Sequence, residues 1–215
     1  MKGLKTRTAI LERAADLASV EGLEGLTIGR LADELQMSKS GLFAHFGSKE
    51  ELQLATIGVA QQRFVAEVFK PALDAERGYP RLVAICRSWL DYIARNVFAG
   101  GCFFAAASFE FDSRSGPVRD AIQSAMDEWI GAIEKAVRLA KDAGHFSDDV
   151  DPAQIAFEIN AVFFGANYAY NMRHDKKAIA RAWHAIETRL ESLRRAPRPS
   201  RFAHPEKRTL RRRAS

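Results

Sequence analysis

Only two cysteines, Cys86 and Cys102, occur in 215 residues. Two thiols cannot staple a small secreted fold, and they fit a reducing compartment, the cytoplasm. No apolar run of signal-peptide type opens the chain, because Met1 to Arg7 is polar and basic and the segment after it is amphipathic. Catalytic signatures are missing as well. The five histidines are scattered without an HExxH pattern, and neither GxSxG, a P-loop nor GxGxxG occurs, so nothing points to an enzyme or a cofactor. Asp148, Asp149 and Asp151 lead into a helix start, where acidic side chains answer the helix dipole without any metal. There is no internal repeat and no strand pattern.

An excess of positive charge is also missing where it would first be sought. The chain carries a net +5, yet Arg194 to Ser215 holds nine Lys/Arg against one Glu. Everything before that tail is therefore slightly acidic. Residues 1–50 hold seven basic and seven acidic side chains. Any nucleic-acid face in that segment must come from sorting charge to one side, as Lys2, Lys5 and Arg7 suggest.

What the chain has in quantity is helical periodicity, and 47% hydrophobic residues permit a proper core. Thr8 to Val20 puts Ile10, Ala14, Leu17 and Ala18 on one face, and Gly22 and Gly25 stop it. Ile28, Leu31, Ala32 and Leu35 form the apolar stripe of a second helix behind the N-cap Thr27. A third, Lys39 to His45, follows the N-cap Ser38, with Leu42, Phe43 and Phe46 as its buried contacts. Gln36 to Ser38 alone join these two short helices, which predicts a helix-turn-helix unit.

The run Met37-Ser-Lys-Ser-Gly-Leu-Phe-Ala-His-Phe46, followed by Gly-Ser-Lys49-Glu-Glu-Leu52, resembles the DNA-binding signature of the TetR family of one-component bacterial repressors. That similarity covers roughly residues 6–55. The resemblance implies base-edge or adjacent backbone contacts from Lys39, Ser40, Gly41 and Phe43, and phosphate contacts from Thr27, His45 and Lys49. Phe43 stands where the family usually has Tyr, so a phosphate bond from that hydroxyl is absent. Lys39 is the one long donor near the helix start, suited to guanine O6 or N7. Few base contacts remain, which gives weight to the shape of the DNA.

Downstream, Ser48 and Glu51 have capping-box spacing, opening a fourth helix that reaches Pro71 through Leu52, Ala55, Val59, Ala60, Phe64, Val68 and Phe69. Leu82 to Val97 is a fifth helix, ended by Gly100-Gly101. The apolar stretch from Cys102 to Ser113 carries Glu110 among four phenylalanines. A long helix runs from Pro117 to Gly144 and another from Pro152 to about Met172, the latter with Asp151 as N-cap and Gln154 as capping partner. The 152–172 helix is apolar nearly all round, so it is buried on more than one side; its Gln154, Glu158 and asparagines argue against a membrane span.

The expected fold is all-α: an N-terminal three-helix helix-turn-helix DNA-binding domain at 1–50, a helical ligand-binding and dimerisation domain at 51–195, and a basic disordered tail at 196–215. By the resemblance, the last two long helices form a homodimer, with Phe157, Ala161, Gly165, Ala169, Ile179, Trp183, Ile186 and Leu190 at the interface. A small-molecule inducer would occupy a cavity walled by Trp89, Phe103, Phe104, Phe109, Trp129, Phe164 and Tyr168, with Glu110 or Asn167 as polar anchors. Aromatic stripes also fill solid cores, which is the competing reading of each wall residue. Cys102 reads as an inert thiol, since no base close in sequence lowers its pKa. The tail either adds salt-sensitive affinity for DNA or only solubilises the terminus. Together these readings describe a ligand-responsive repressor on a quasi-palindromic operator; the alternative is a dimeric protein-interaction module that does not bind DNA specifically.

Overall fold

A computed structural model describes the backbone of residues 2–194 and the side chains from residue 6 onward. The basic tail 196–215 and the side chains of Lys2 and Lys5 lie outside the described residues. Within them every named element is helical. Helix α1 (Lys2–Glu21) packs on α2 (Ile28–Leu35), and its Arg7 guanidinium lies over the Phe46 ring at the end of α3 (Lys39–Phe46). Helix α4 (Lys49–Phe64) continues through a π-helical turn, Val65–Phe69, into the single turn α5 (Lys70–Ala72). Then come α6 (Tyr79–Ala94), α7 (Phe103–Phe111), α8 (Pro117–Asp142), α9 (Pro152–Asn167) with a second π turn at Tyr168–Met172, and α10 (Ala178–Ser192).

The helix starts follow from their caps. Thr27, Ser38 and Ser48 each accept a hydrogen bond from a main-chain N–H three residues on, at 3.0, 3.1 and 3.0 Å. Two expected capping boxes are only half made. The Ser48 amide donates to the Phe46 carbonyl and so does not need Glu51, while Gln154 donates to Glu158 and leaves Asp151 to cap Ala153 alone. The π turn in the fourth helix has a local cause. Pro71 offers no N–H and its ring would strike the carbonyl four residues earlier, at Glu67, so the ladder widens and Lys70 N–H reaches back to Val65.

One continuous apolar core runs from α1–α3 into the larger helical body. Leu23, Leu26, Leu31, Leu42 and Leu52 are at most 1% exposed, each contributing about 1.5–3 kcal/mol of burial. Helix α8 is the central strut, packing on α9, α4, α6 and α7. Among the described residues no helix is long and apolar enough to cross a membrane.

Candidate functional site

The turn between α2 and α3 is closed by Gln36, which takes the left-handed conformation (φ 53°, ψ 37°) and caps α2 with its amide. Leu31, Ala32, Leu42 and Phe46 are buried, so α3 is anchored by one side only. Its free side shows Lys39, Ser40, Phe43 and Ala44 to solvent. Phe43 is 57% exposed, which corrects its place among the buried contacts: Leu42 and Phe46 fill the apolar side of the helix, and Phe43 points away from both. Lys39 folds back over Gly29, where Thr27 also borders, so these two expected DNA contacts share the start of α2.

Three other cations among the described residues of the segment are engaged in ion pairs. Arg30 is paired with Glu21 and Glu34, Arg13 with Glu34, and Lys49 with Glu24 at 2.7 Å. The Lys49 hydrogen bond holds the Glu24 carboxyl below the usual carboxylate range. Lys39 has no ion-pair partner among the described residues. His45 is half-buried with its ring tilted against Phe46, and Gly41 receives the Ser38 cap.

The junction of α1 and α2 is tied to the larger body. Gly22 takes φ +86°, a left-handed turn that favours glycine, and exposes the next two amides. Both donate to the carboxylate of Glu110, Leu23 at 2.8 Å and Glu24 at 3.0 Å. Gln53 donates to the Leu23 carbonyl at 2.7 Å, and Gly100 N–H donates to the Ser19 hydroxyl at 3.2 Å. Glu110 is therefore no anchor inside a ligand cavity. It lies on the flank of α7 that faces α1, its charge answered by two N–H groups.

The cavity itself has a volume of about 310 Å³ and lies between α4, the first π turn, α6, α7, α8 and α9. Four of the expected wall residues line it: Trp89, Phe104, Trp129 and Phe164. Trp89 stacks on Phe163 with ring centroids 4.1 Å apart, and Phe64 meets Trp129 edge-on at 5.3 Å. The indole N–H of Trp129 donates to Asn160 at 3.1 Å, and Gln61 donates to Glu128 at 2.7 Å. Burial pushes the thiols of Cys102, at the cavity wall, and Cys86, in the core, above their ordinary value, Cys86 to about 12.

The other expected wall residues are elsewhere. Phe103 is core, packed against Phe98 and Phe104. Phe109 is 70% exposed and touches Phe164 from outside, and Tyr168 is exposed in the second π turn. Asn167 is occupied in accepting from the Cys102 amide at 2.9 Å. In their place Phe64, Phe69, Phe163, Met126, Gln61 and Asn160 complete the wall. Phe64 and Phe69 were hidden because five residues of ordinary α-helix rotate two side chains well apart. The π turn between them brings both to one wall.

On the outer side of α9, Phe157 is 68% exposed, Ala161 and Gly165 are exposed, and Ala169 is half-buried. Phe109 and Phe157 flank one shallow groove. On α10, Ile179 and Trp183 are half-buried, with the Arg87 guanidinium 3.8 Å over the Trp183 ring. Ile186 and Leu190, expected on this outer face, are 2% and 0% exposed and pack inward, since α10 turns its apolar stripe to α6 and α9. Among the described residues no cluster of His, Cys, Asp or Glu could hold a metal ion.

A family model described as bacterial regulatory proteins, tetR family, matches residues 10–56, and one described as tetracyclin repressor-like, C-terminal domain, matches residues 78–186. The HTH-type transcriptional regulator TcmR of Streptomyces glaucescens is 24% identical over 193 residues, spanning 88% of this chain and 83% of the relative. A TetR transcriptional regulator from Chloroflexus aurantiacus J-10-FL has a similar structure, with a TM-score of 0.78 and 26% identity over 91% of this chain and 99% of the other. AibR, solved in complex with isovaleryl coenzyme A and operator DNA, gives a TM-score of 0.64 and 24% identity over 87% and 97%.

Proposed function

The chain belongs to the tetR family of bacterial regulatory proteins, and on that premise we propose that it is a cytoplasmic homodimer that docks two α3 helices on a quasi-palindromic operator and is released by a small-molecule inducer. It is a DNA-binding transcriptional regulator and not an enzyme. The observation that carries the docking assignment is the outward face of α3, where Lys39, Ser40 and Phe43 stand clear of the core while Leu42 and Phe46 hold the helix in place. Lys39 and Phe43 read base edges; Thr27, His45 and, once it leaves Glu24, Lys49 hold phosphates. Gly41 lets the backbone approach the groove.

Dimerisation through the exposed faces of α9 and α10 sets the distance between the two heads, in keeping with half-sites about one helical turn or more apart. Phe157, Ala161, Gly165, Ala169, Ile179 and Trp183 supply that face. The inducer enters the aromatic cavity, which shares α4 and α7 with the N-terminal helices. Helix α4 carries Gln61 and Phe64 at the cavity and Gln53 at the α1–α2 junction; α7 carries Phe104 at one and Glu110 at the other. A ligand that shifts either helix moves the heads, with a coupling of about 1–3 kcal/mol. AibR, a protein of the same fold solved with an acyl coenzyme A and operator DNA, supports the reading only so far as such a fold takes both a small molecule and an operator.

The test is selection of random duplex DNA on the purified protein. A palindrome that enriches with the parent, and with Lys39→Ala enriches more weakly and with one base pair of each half-site relaxed, supports the docking assignment. A second reading, a dimeric protein-interaction module, draws on the pairing of Arg13, Arg30 and Lys49 with acidic neighbours. Failure to enrich any sequence at low salt decides for that reading.

A further inference from the structure

We infer that the ligand of the aromatic cavity is a lipophilic aromatic cation, held with its rings among the indoles and its charged nitrogen at the mouth beside Glu128. The inference rests on the reading of this cavity as the effector site and adds the chemical class of what enters it.

Three features of the wall combine. The first is size and polarity. At about 310 Å³ the space sits at the lower end of the usual range for ligand pockets, about 300–1,000 Å³, and its surface is mostly ring and methyl. Such a cavity takes a compact aromatic body.

The second is the sign of the charge. Neither Lys, Arg nor His lines the cavity, and its single ionisable acid is Glu128 on α8. Glu128 makes no ion pair among the described residues; its one hydrogen bond is from the neutral amide of Gln61, to Oε2. The nearest guanidinium in sequence, Arg63, turns the other way, paired with Glu12 and Asp16 and lying 4.4 Å from the Phe98 ring centroid. An anion entering here would meet a carboxylate and the negative faces of aromatic rings, with no positive group to receive it. A cation meets an unpaired carboxylate and the same faces, both attractive.

The third is the scarcity of spare polar partners inside, where the Asn160 side-chain NH2 makes no hydrogen bond among the described residues and the rest of the deep wall is ring, methyl and thiol. Asn160 spends its side-chain oxygen on the Trp129 indole, and Cys102 is a buried neutral thiol. A ligand rich in hydroxyls or carboxylates would leave its own groups unsatisfied in the cavity. The charge must therefore stay at the mouth, where Glu128 is exposed, and the rings go in.

Three probes of matched shape test this on the full-length protein by calorimetric titration: naphthylmethyl-trimethylammonium, naphthalenemethanol and naphthylacetate. The ammonium is expected to bind about ten-fold tighter than the alcohol, the scale of a partly desolvated cation–π and charge contact, and the acetate at least about ten-fold more weakly than the alcohol. Glu128→Gln should remove most of the ammonium's advantage and leave the alcohol unchanged. Trp129→Ala should weaken ammonium and alcohol alike, which places both in this cavity.

Acetate binding as tightly as the ammonium, an unchanged preference in Glu128→Gln, or no binding of the ammonium or alcohol overturns the inference. Release of a selected operator duplex is read separately. An anion that binds the cavity and releases the operator sinks the charge class and keeps the effector reading. An ammonium that binds with the expected preference and leaves the operator bound keeps the class and sinks the effector reading.

Discussion

The carboxylate of Glu110 and the amide of Leu23, 87 positions apart in the chain, are joined by a hydrogen bond of 2.8 Å, and the Glu24 amide makes the companion bond to the other carboxylate oxygen. The pair joins α7, which walls the cavity, to the turn that starts the helix-turn-helix. It works as a clamp supplied from another part of the fold: two main-chain donors of the turn after α1, which no carbonyl takes up, find a fixed acceptor.

Glu110→Gln presents one oxygen and one amide to two N–H donors, so one bond is lost and a donor is left facing a donor. Stability should fall by about 1.5–3 kcal/mol, the cost of a charge-assisted bond, in urea denaturation. If the junction carries the signal, the variant also loses more ligand-driven operator release than a core variant of comparable cost such as Ile133→Ala, at about 2–5 kcal/mol. Equal release at equal stability would leave Glu110 a structural cap only.

Gly100 is the point of closest approach in the same region, because a Cβ there would fall 1.7 Å from the Ser19 carbonyl oxygen. Neither partner is a side-chain tip that can swing aside. Gly100→Ala is expected to cost about 3 kcal/mol, at the upper end of overpacking effects, seen as a lower thermal midpoint. A shift within error would mean that α1 slides freely past the α6–α7 connection.

On DNA, Lys39→Ala should weaken a selected operator and relax preference at one base pair, while Lys49→Ala should weaken all sequences alike and flatten the salt slope by about one unit. Phe43 offers an apolar ring, for which the thymine methyl is the fitting partner. Replacing thymines of the operator by deoxyuridine, one at a time, should find a position costing about 0.8 kcal/mol in the parent and nothing in Phe43→Ala. Binding that ignores every such change would place another surface on the DNA.

Both thiols are raised by burial, so their thiolate form is scarce near neutrality. Alkylation of the native protein at pH 8 should leave Cys86 and Cys102 unmodified by mass spectrometry, and the urea-unfolded chain should take two labels. The sign follows from desolvation: a folded-state pKa above the unfolded one keeps the native thiol protonated across the range where the unfolded thiol ionises. Rapid native labelling of Cys102 would show that the cavity opens and would reopen a sensing role for it.

The outer and inner faces of the last two helices should separate cleanly. Phe157→Arg with Gly165→Arg, on the exposed face, should convert a dimer to a folded monomer in sedimentation at micromolar concentration. Leu190→Ala, on the inner face, should cost about 2–5 kcal/mol in stability through the cavity it leaves. A Phe157/Gly165 variant that stays dimeric would move the interface away from α9.

Much of the local architecture was legible in advance. Thr27, Ser38, Ser48 and Asp151 announce four helix starts, and Gln36 to Ser38 leaves room for nothing but a tight turn between two short helices. The helix-turn-helix signature identified the family from residues that are neighbours in sequence, and the outward position of Lys39 follows from Leu42 and Phe46 being the inner side of a short helix. Phe43 was misplaced because an aromatic beside two buried apolar residues looks like core until the third dimension shows that there is no room left for it.

The chain by itself determined what depends on contacts a few residues apart: caps, helical period, the all-α class and the DNA-reading unit, because helix hydrogen bonds and side-chain faces repeat every few positions. Only the tertiary structure decided what Glu110 binds, which rings wall the cavity, and that Ile186 and Leu190 face inward while Phe157 faces out. Those outcomes depend on which helices meet and on the extra residue that each π turn inserts. A carboxylate among phenylalanines reads alike whether its partner is a ligand or two amides 87 and 86 residues away, and only packing brings one kind of partner within hydrogen-bond reach.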